Sequence, residues 1–173
     1  WHDFRESGVE DPEHAVLPST QQLNEANLHT DIDKMIIDTA NSTVFLADPA
    51  MRLDVGAIAK GYAVQRVHEF AVLNGLNAGL ISAGGNVSAI GCKQGNAVPW
   101  SVGVQNPSDA PGQSNLLVID VCDTSVVTSG IYERRYTVDG KEYHHIIDPV
   151  TLFPADTYAA VTVISPDSGA ADA

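Results

Sequence analysis

The chain has 173 residues and a mass of 18.3 kDa, sufficient for one domain with a hydrophobic core. It carries 9 Lys and Arg residues against 22 Asp and Glu residues, so its formal net charge is −13. This acidic balance excludes nucleic acid as an expected partner and disfavours docking of the bare domain on anionic membranes, since both attract basic surfaces. No run of about 20 apolar residues predicts a membrane span.

The first 34 residues are predicted to form an acidic lead-in that contains one short helix. Ser19 or Thr20 can cap this helix, whose inner side would carry Leu23 and Ala26. The residues before it, which include several acidic side chains and two prolines, are expected to be irregular.

Two short strands and one long helix are predicted next. The strands cover residues 35–38 and 43–47, on either side of an Asn41–Ser42 turn. The helix covers about residues 57–74, because apolar side chains recur there at helical spacing: Ala59, Ala63, Val67, Phe70 and Ala71.

The remainder of the chain is predicted to be mostly β-structure. The Asp139–Gly140 pair lies between two alternating segments and is typical of a tight hairpin. Asp167 and Ser168 could cap a last helix, which we expect the chain to be too short to build. The predicted strands cover residues 78–82, 87–90, 100–105, 116–122, 132–138, 142–147 and 159–165. This pattern predicts an α+β fold in which helices pack on a mostly antiparallel sheet.

The chain ends and the cysteines give weaker signals. The chain opens on Trp1, with neither an initiator Met nor a signal-peptide pattern, so we expect a processed or cut piece of a longer protein. Cys92 and Cys122 have apolar neighbours and are predicted to be buried thiols, although the sequence leaves open whether they meet.

The segment LDVGAIAKGYAV, residues 53–64, places a lysine in the first turn of the long helix. Helix N-termini attract anions, and the ammonium group of Lys60 would add a point charge for a phosphate. The alternative is that Gly56 and Gly61 only allow close packing while Lys60 is solvated. Because lysine is unfavourable in a first turn, the pattern slightly favours the binding hypothesis.

Two glycine-containing turns could also present backbone N–H groups to a ligand. They are the Gly84–Gly85–Asn86 turn between two predicted strands and the Thr128–Ser129–Gly130 segment. Both are equally compatible with ordinary turns.

A histidine pair and a C-terminal carboxylate complete the candidate residues. Within a strand only His145 can share a face with Tyr143 and Ile147, since neighbouring residues point to opposite faces. His145 could act as a general acid or base, or be a core histidine satisfied by hydrogen bonds. Asp172 could interact with a helix dipole or bind a hard cation beside a phosphate.

Taken together, four segments resemble the ApbE family of FAD:protein FMN transferases. They are LDVGAIAKGYAV, the Gly-Gly-Asn turn, VVTSGIYERRYTVDGKEYHHIIDPVT and VTVISPDSGAADA, in the family's order and spacing. The resemblance covers most of residues 35–173. It implies a T-fold-like α+β domain, here a single truncated domain over residues 1–173.

The resemblance further implies an enzyme that uses Mg²⁺ and FAD. Such enzymes transfer the FMN half of FAD to a Thr or Ser hydroxyl of an acceptor protein and release AMP; some members hydrolyse FAD instead. By the family pattern, His145 would be the base, and the Ala57 carbonyl and the Asp172 carboxylate would bind Mg²⁺. The FAD-binding positions would be Asp54, Lys60, Gly84, Gly85, Asn86, Ser129, Gly130 and Ile147.

The chain also departs from the family pattern. Family members are usually about twice as long, and Leu152 stands where a glycine normally follows the Thr of the Asp-Pro-X-Thr turn. A Thr expected one helical turn after Asp172 lies beyond the end of the chain. Besides FMN transfer, we therefore keep FAD hydrolysis and a flavin-binding module without catalysis as hypotheses; a non-flavin metal protein is least favoured. Many relatives are anchored to the bacterial cell envelope on its extracytoplasmic side, so that location is expected, with any anchor outside this chain.

Overall fold

The computed structural model describes residues 1–108 and 114–173 and divides the chain into two compact units. Unit 1 combines Trp1–Asp54 with Tyr132–Thr157, and unit 2 combines Val55–Ile131 with Tyr158–Ala173. Each unit is therefore built from two separate segments of the chain. The predicted α+β class, with antiparallel strand pairing, is confirmed.

In the part of the chain that the structure describes, the predicted helices and strands are present in the predicted order, and three further α-helices and one further strand accompany them. The helices are α1 (His2–Glu10), α2 (Thr20–Asn27), α3 (Ala59–Leu73), α4 (Lys93–Asn96) and α5 (Ser168–Asp172). The strands are β1 (Met35–Asp38), β2 (Thr43–Leu46), β3 (Gly79–Ala83), β4 (Asn86–Ile90), β5 (Trp100–Gln105), β6 (Asn115–Val121), β7 (Ser125–Gly130), β8 (Arg135–Val138), β9 (Lys141–His144) and β10 (Ala160–Ser165). Among the described residues, no helix has the length and apolar character needed to cross a membrane.

The N-terminal region of unit 1 is more regular than predicted. Residues expected to be irregular form α1, which packs on β8 with Gly8 against the ring of Tyr136. A capping box begins α2, where the Ser19 hydroxyl accepts from the N–H of Gln22. Leu23 is buried as predicted, whereas Ala26, on the same side of the helix one turn later, is exposed.

Two hairpins and an aromatic group form the rest of unit 1. β1 pairs with β2, and β8 pairs with β9, both antiparallel. The Trp1 ring contacts Tyr143 and Phe153, and its indole N–H donates to the carbonyl of Leu152 at 2.7 Å. Leu152 adopts φ 61°, a left-handed conformation that explains why glycine suits this position.

A carboxylate joins the end of α2 to the first hairpin. Asp48 accepts hydrogen bonds from His29 Nδ1 at 2.9 Å, from Lys34 Nζ at 3.3 Å and from the N–H of Ala50 at 3.0 Å. The bond from His29, followed by that from Ala50, lowers the pKa of Asp48 from 3.8 to about 2.

Unit 2 contains a four-stranded antiparallel sheet in the order β10-β7-β4-β3 and a separate β5–β6 hairpin. The central strand β7 was not predicted as a full strand. Its residues Ser125, Val126 and Val127 are buried, so the alternation of polar and apolar residues that marks a half-exposed strand is missing. The hydrophobic core consists of Ala89, Val102, Val104, Val121 and Val126.

Helix α3 is present as predicted, but two of the apolar residues whose spacing predicted it are not buried. Val67 and Phe70 are 52% and 67% exposed, whereas Gly61 and Val64 are buried. Helix α5, which was not expected to form, is present over Ser168–Asp172 and packs on α3. A Cβ atom at Gly61 would collide with the carbonyl oxygen of Ser168, so the contact face must carry small side chains.

The prediction of buried thiols is also wrong. Cys92 and Cys122 form a disulfide, with Cα atoms 4.9 Å apart and a sequence separation of 30 residues. Cys92 follows β4 and Cys122 follows β6, so the bond connects the central sheet of unit 2 to the β5–β6 hairpin.

Candidate functional site

The candidate residues fall in both units. Unit 1 contains three of them, Asp54, His145 and Ile147. Unit 2 contains the remaining eight: Ala57, Lys60, Gly84, Gly85, Asn86, Ser129, Gly130 and Asp172.

In unit 2 a buried carboxylate meets the first turn of α3. The side chain of Asp172 is 1% exposed, and its Oδ2 accepts from the N–H of Gly61 at 2.9 Å. Its Oδ1 lies 3.3 Å from Nζ of Lys60, whose side chain is 42% exposed. Asp172 therefore caps α3 from a distant part of the chain, since Ile58 at the N-cap position makes no side-chain cap bond.

This geometry explains how a lysine is tolerated in the first turn of α3. The carboxylate of Asp172 is the favourable negative charge at the helix N-terminus and also neutralises Lys60. The side chain of Lys60 remains partly exposed, so its ammonium group could still contact an anion. Ala57 is exposed and lies in the turn immediately before α3.

The Gly84–Gly85 turn joins β3 to β4 and packs on β7. Gly84 has φ 58°, and a Cβ atom at Gly85 would collide with the carbonyl oxygen of Thr128. The carbonyl of Gly85 also accepts from the N–H of Thr128 at 2.8 Å. The two glycine-containing segments of the sequence analysis are thus brought into direct contact, with Ser129 exposed and Gly130 buried next to them.

Asn86 has an unusual environment at the end of this turn. Its side chain is fully buried, yet neither its amide nitrogen nor its amide oxygen has a hydrogen-bond partner among the described residues. The same holds for the hydroxyl of Ser168 at the start of α5. Unpaired buried polar atoms cost free energy, so a polar ligand or water molecule that reached these groups would stabilise the fold.

A polar layer between α3 and the sheet was missed in the sequence. The hydroxyl of Ser125 donates to Ser88 Oγ at 2.9 Å, and Ser88 Oγ lies 2.9 Å from His68 Nδ1. Both serines are fully buried. Asn86 and Ser88 occupy alternate positions of β4, but the predicted strand began at residue 87, so this polar row was not visible as one face of a strand.

In unit 1 His145 does not lie in a strand. β9 ends at His144, so the prediction that alternation places His145 on one face with Tyr143 and Ile147 is wrong. The chain bends at His145, and its Nδ1 lies 3.2 Å from the main-chain oxygen of Arg134. Burial lowers the pKa of His145, and the positive charge of Arg134 lowers it further.

The other two unit 1 candidates occupy ordinary positions. Ile147 forms an isolated antiparallel bridge with Pro154, which closes the loop that contains Leu152. Asp54 is exposed and ends the first segment of unit 1. Neither geometry identifies a ligand contact by itself.

The residues fit a magnesium ion only when a substrate completes its coordination. Within the described residues, no three His, Cys, Asp or Glu side chains form a metal-binding group. Asp172 does supply a carboxylate, and Mg²⁺ commonly binds one or two protein carboxylates together with substrate phosphates and water. The donor set therefore suits Mg²⁺ bound with a phosphate-containing ligand.

The geometry of unit 2 defines an α+β domain with a helix N-terminus, a lysine and a buried carboxylate at one place. The family model for the ApbE family matches residues 1–173, so the chain belongs to the ApbE family. The FAD:protein FMN transferase of Treponema pallidum (strain Nichols) is 40% identical over 172 residues, covering 92% of this chain and 47% of that protein. A transferase of the same name from Klebsiella pneumoniae (strain 342) is 41% identical over 136 residues, covering 78% of this chain and 40% of that protein.

Solved structures give the same result. The crystal structure of the ApbE protein from Thermotoga maritima has a TM-score of 0.82 at 38% identity, covering 92% of this chain and 50% of that one. The flavin transferase ApbE from Vibrio cholerae has a TM-score of 0.75 at 30% identity, covering 91% of this chain and 48% of that one. The chain thus spans about half the length of the relatives it matches.

Proposed function

We propose that this chain contributes to a flavin transferase that moves the FMN half of FAD onto a Thr or Ser hydroxyl of an acceptor protein and releases AMP. The relatives named FAD:protein FMN transferase support the reaction class. The observation that carries the proposal for this chain is the contact of Lys60 and Asp172 at the N-terminus of α3, which suits a diphosphate.

The reaction is a substitution at phosphorus. The acceptor hydroxyl oxygen forms a bond to the phosphorus of the FMN half, and the bond from that phosphorus to the AMP oxygen breaks. The hydroxyl proton passes to a base, for which we propose Nε2 of His145. Lys60 and the free N–H groups of α3 would offset the negative charge of the diphosphate.

Mg²⁺, when bound, would supply charge neutralisation on the phosphate oxygens. We propose that the Asp172 carboxylate and the Ala57 carbonyl hold it. Gly84, Gly85, Ser129 and Gly130 would line the flavin nucleotide. The buried amide of Asn86 supports a polar ligand at this turn, because both of its hydrogen-bonding atoms lack partners among the described residues.

The proposed location is an extracytoplasmic compartment of the bacterial cell envelope. The disulfide between Cys92 and Cys122 supports it, because such bonds persist in oxidising compartments and are rare in the cytosol. Thiol trapping on cells that express the protein would test the location: a fully reduced pair in vivo would contradict it.

The first experiment is a fluorescence titration of FAD with the chain, in Mg²⁺ and again in EDTA. Quenching that requires Mg²⁺ is expected, and Asp172→Asn should remove the Mg²⁺ dependence. Glu69→Gln is a matched control, since Glu69 is an α3 carboxylate that pairs with Arg66. If FAD fluorescence in Mg²⁺ were quenched equally by the Asp172→Asn variant and by the unaltered chain, the proposal that Asp172 binds Mg²⁺ would be contradicted.

Turnover is tested with FAD, Mg²⁺ and an acceptor protein, with AMP release and acceptor-bound flavin fluorescence as readouts. We expect His145→Ala to abolish transfer and to retain FAD binding, with His144→Ala as the matched control. Free FMN and AMP without an acceptor would instead identify a FAD hydrolase. Binding without either product would identify a flavin-binding module.

A further inference from the structure

The imidazole of His145 is oriented by the main chain of a neighbouring residue. Its Nδ1 lies 3.2 Å from the carbonyl oxygen of Arg134, at the open end of the β8–β9 hairpin, where Arg134 precedes β8 and His145 follows β9. A carbonyl oxygen can only accept a hydrogen bond, so Nδ1 must carry the proton. In the neutral ring, Nε2 is then the nitrogen with the free lone pair.

Three positively charged or titratable groups face this ring. They are Arg134 beside β8, Arg5 on α1 and His144 at the end of β9. Arg5 is bound to Glu6 at 2.7 Å, so most of its charge is compensated locally. The charge of Arg134 is consequently the larger of the two arginine effects on His145.

The two parts of Arg134 act on His145 in opposite directions. The hydrogen bond to its carbonyl favours the protonated ring and raises the pKa of His145, whereas its guanidinium lowers that pKa. Burial lowers it too and is the largest cause, so the combined effect disfavours the protonated ring. A general base has to be neutral before it can accept a proton.

We infer that Arg134 is a positioning residue for His145: its main-chain carbonyl accepts from Nδ1 and so fixes the Nδ1–H tautomer of the ring. Nε2 is thereby presented as the proton acceptor. The inference rests on the proposed function, in which His145 takes the proton of the acceptor hydroxyl. It adds a second residue to the catalytic apparatus, one that acts through His145 rather than on the substrate.

The tautomer is tested by nuclear magnetic resonance on the whole chain labelled with ¹⁵N-histidine. The His145 signals are identified by their loss in His145→Gln. Spectra at a pH where the ring is neutral should show a protonated Nδ1 and an unprotonated Nε2. A protonated Nε2 at this residue would overturn the inference.

The charge effect is tested by titrating the same signals in Arg134→Gln at low salt. The pKa of His145 should rise, whereas Arg134→Lys, which keeps the charge, should leave it low. Arg135→Gln is the matched control, because Arg135 pairs with Glu142 at 2.8 Å and is not among the groups that act on His145. An unchanged or lower pKa in Arg134→Gln would refute the charge effect of the guanidinium, and the tautomer measurement alone would then decide the inference.

Failure of this inference and failure of the proposed function are separable. Both measurements read the imidazole directly and require neither FAD nor an acceptor. If the tautomer and the shift are found but no flavin is transferred or hydrolysed, the proposed function fails and the positioning stands. If Arg134→Gln does not fold, the inference is decided by the His145 tautomer of the unaltered chain, together with the titration of His145 in Arg134→Lys.

Discussion

The loss of unfolding free energy on removing the disulfide of unit 2 can be calculated from the length of the loop that it closes. Replacing Cys92 and Cys122 by serine removes a bond that closes a loop over a sequence separation of 30 residues. In the chain-entropy account, losing a cross-link over a loop of this length costs about 3.5 kcal/mol of unfolding free energy. For a chain of this size, that loss corresponds to a melting temperature lower by about 10 °C.

The assay is urea denaturation of the oxidised chain and of the Cys92→Ser/Cys122→Ser variant, followed by circular dichroism. The variant should unfold at a clearly lower urea concentration. The oxidised chain treated with a reductant should behave like the variant, since it loses the same bond. Thiol titration before each run shows whether the bond is present.

The stability difference has a clear point of refutation. Equal unfolding midpoints for the oxidised chain and the double variant would mean that the bond does not restrict the unfolded state. If the variant were destabilised but the reduced chain were not, the lost unfolding free energy would come from the serine side chains and not from the missing bond. Either result would refute the loop-closure reasoning.

Three further changes test other parts of the structure. Leu152→Gly should raise the unfolding free energy by about 1 kcal/mol, since leucine is strained at φ 61°; an equal or lower urea midpoint would contradict this. Gly61→Ala should lower it by about 1–3 kcal/mol, because α5 leaves no room for a Cβ atom, and a neutral result would disprove that tight contact. Asp48 stabilises the fold fully above its unfolded pKa of 3.8, and this contribution is lost as the pH falls through about 2. Acid titrations should therefore show a smaller fall in stability for Asp48→Asn than for the unaltered chain between those values.

Elements set by local rules were predicted well from the sequence. The Ser19 cap of α2, the Asp139–Gly140 hairpin turn and the bounds of β1 depend on neighbouring residues alone. β7 was incompletely predicted because it lies between β4 and β10, both remote in sequence, and is buried on both sides. Its burial removes the alternation on which strand prediction relies.

In the candidate site too, features set by neighbouring residues were predictable, whereas contacts between residues far apart in sequence were not. The resemblance identified Lys60 and Asp172, but their contact spans 112 residues and requires α5 to fold on α3. Hydrophobic periodicity at positions such as Val67 and Phe70 predicted the helix, whereas the face that α5 contacts is built around Gly61. The orientation of His145 likewise depends on where β9 stops, and helix and strand ends are the least predictable features of a sequence.

The interleaving of the two units has a consequence for synthesis on the ribosome. Residues 1–54 emerge before unit 2, yet the rest of unit 1 arrives only with residues 132–157, after most of unit 2 has been made. Unit 2 in turn lacks β10 and the helix with Asp172 until residues 158–173 appear. Until then β7 presents an open edge of backbone N–H and C=O groups, a known route to aggregation. A ribosome that stalls shortly before residue 158 would therefore leave unit 2 without its edge strand and without the carboxylate at the start of α3.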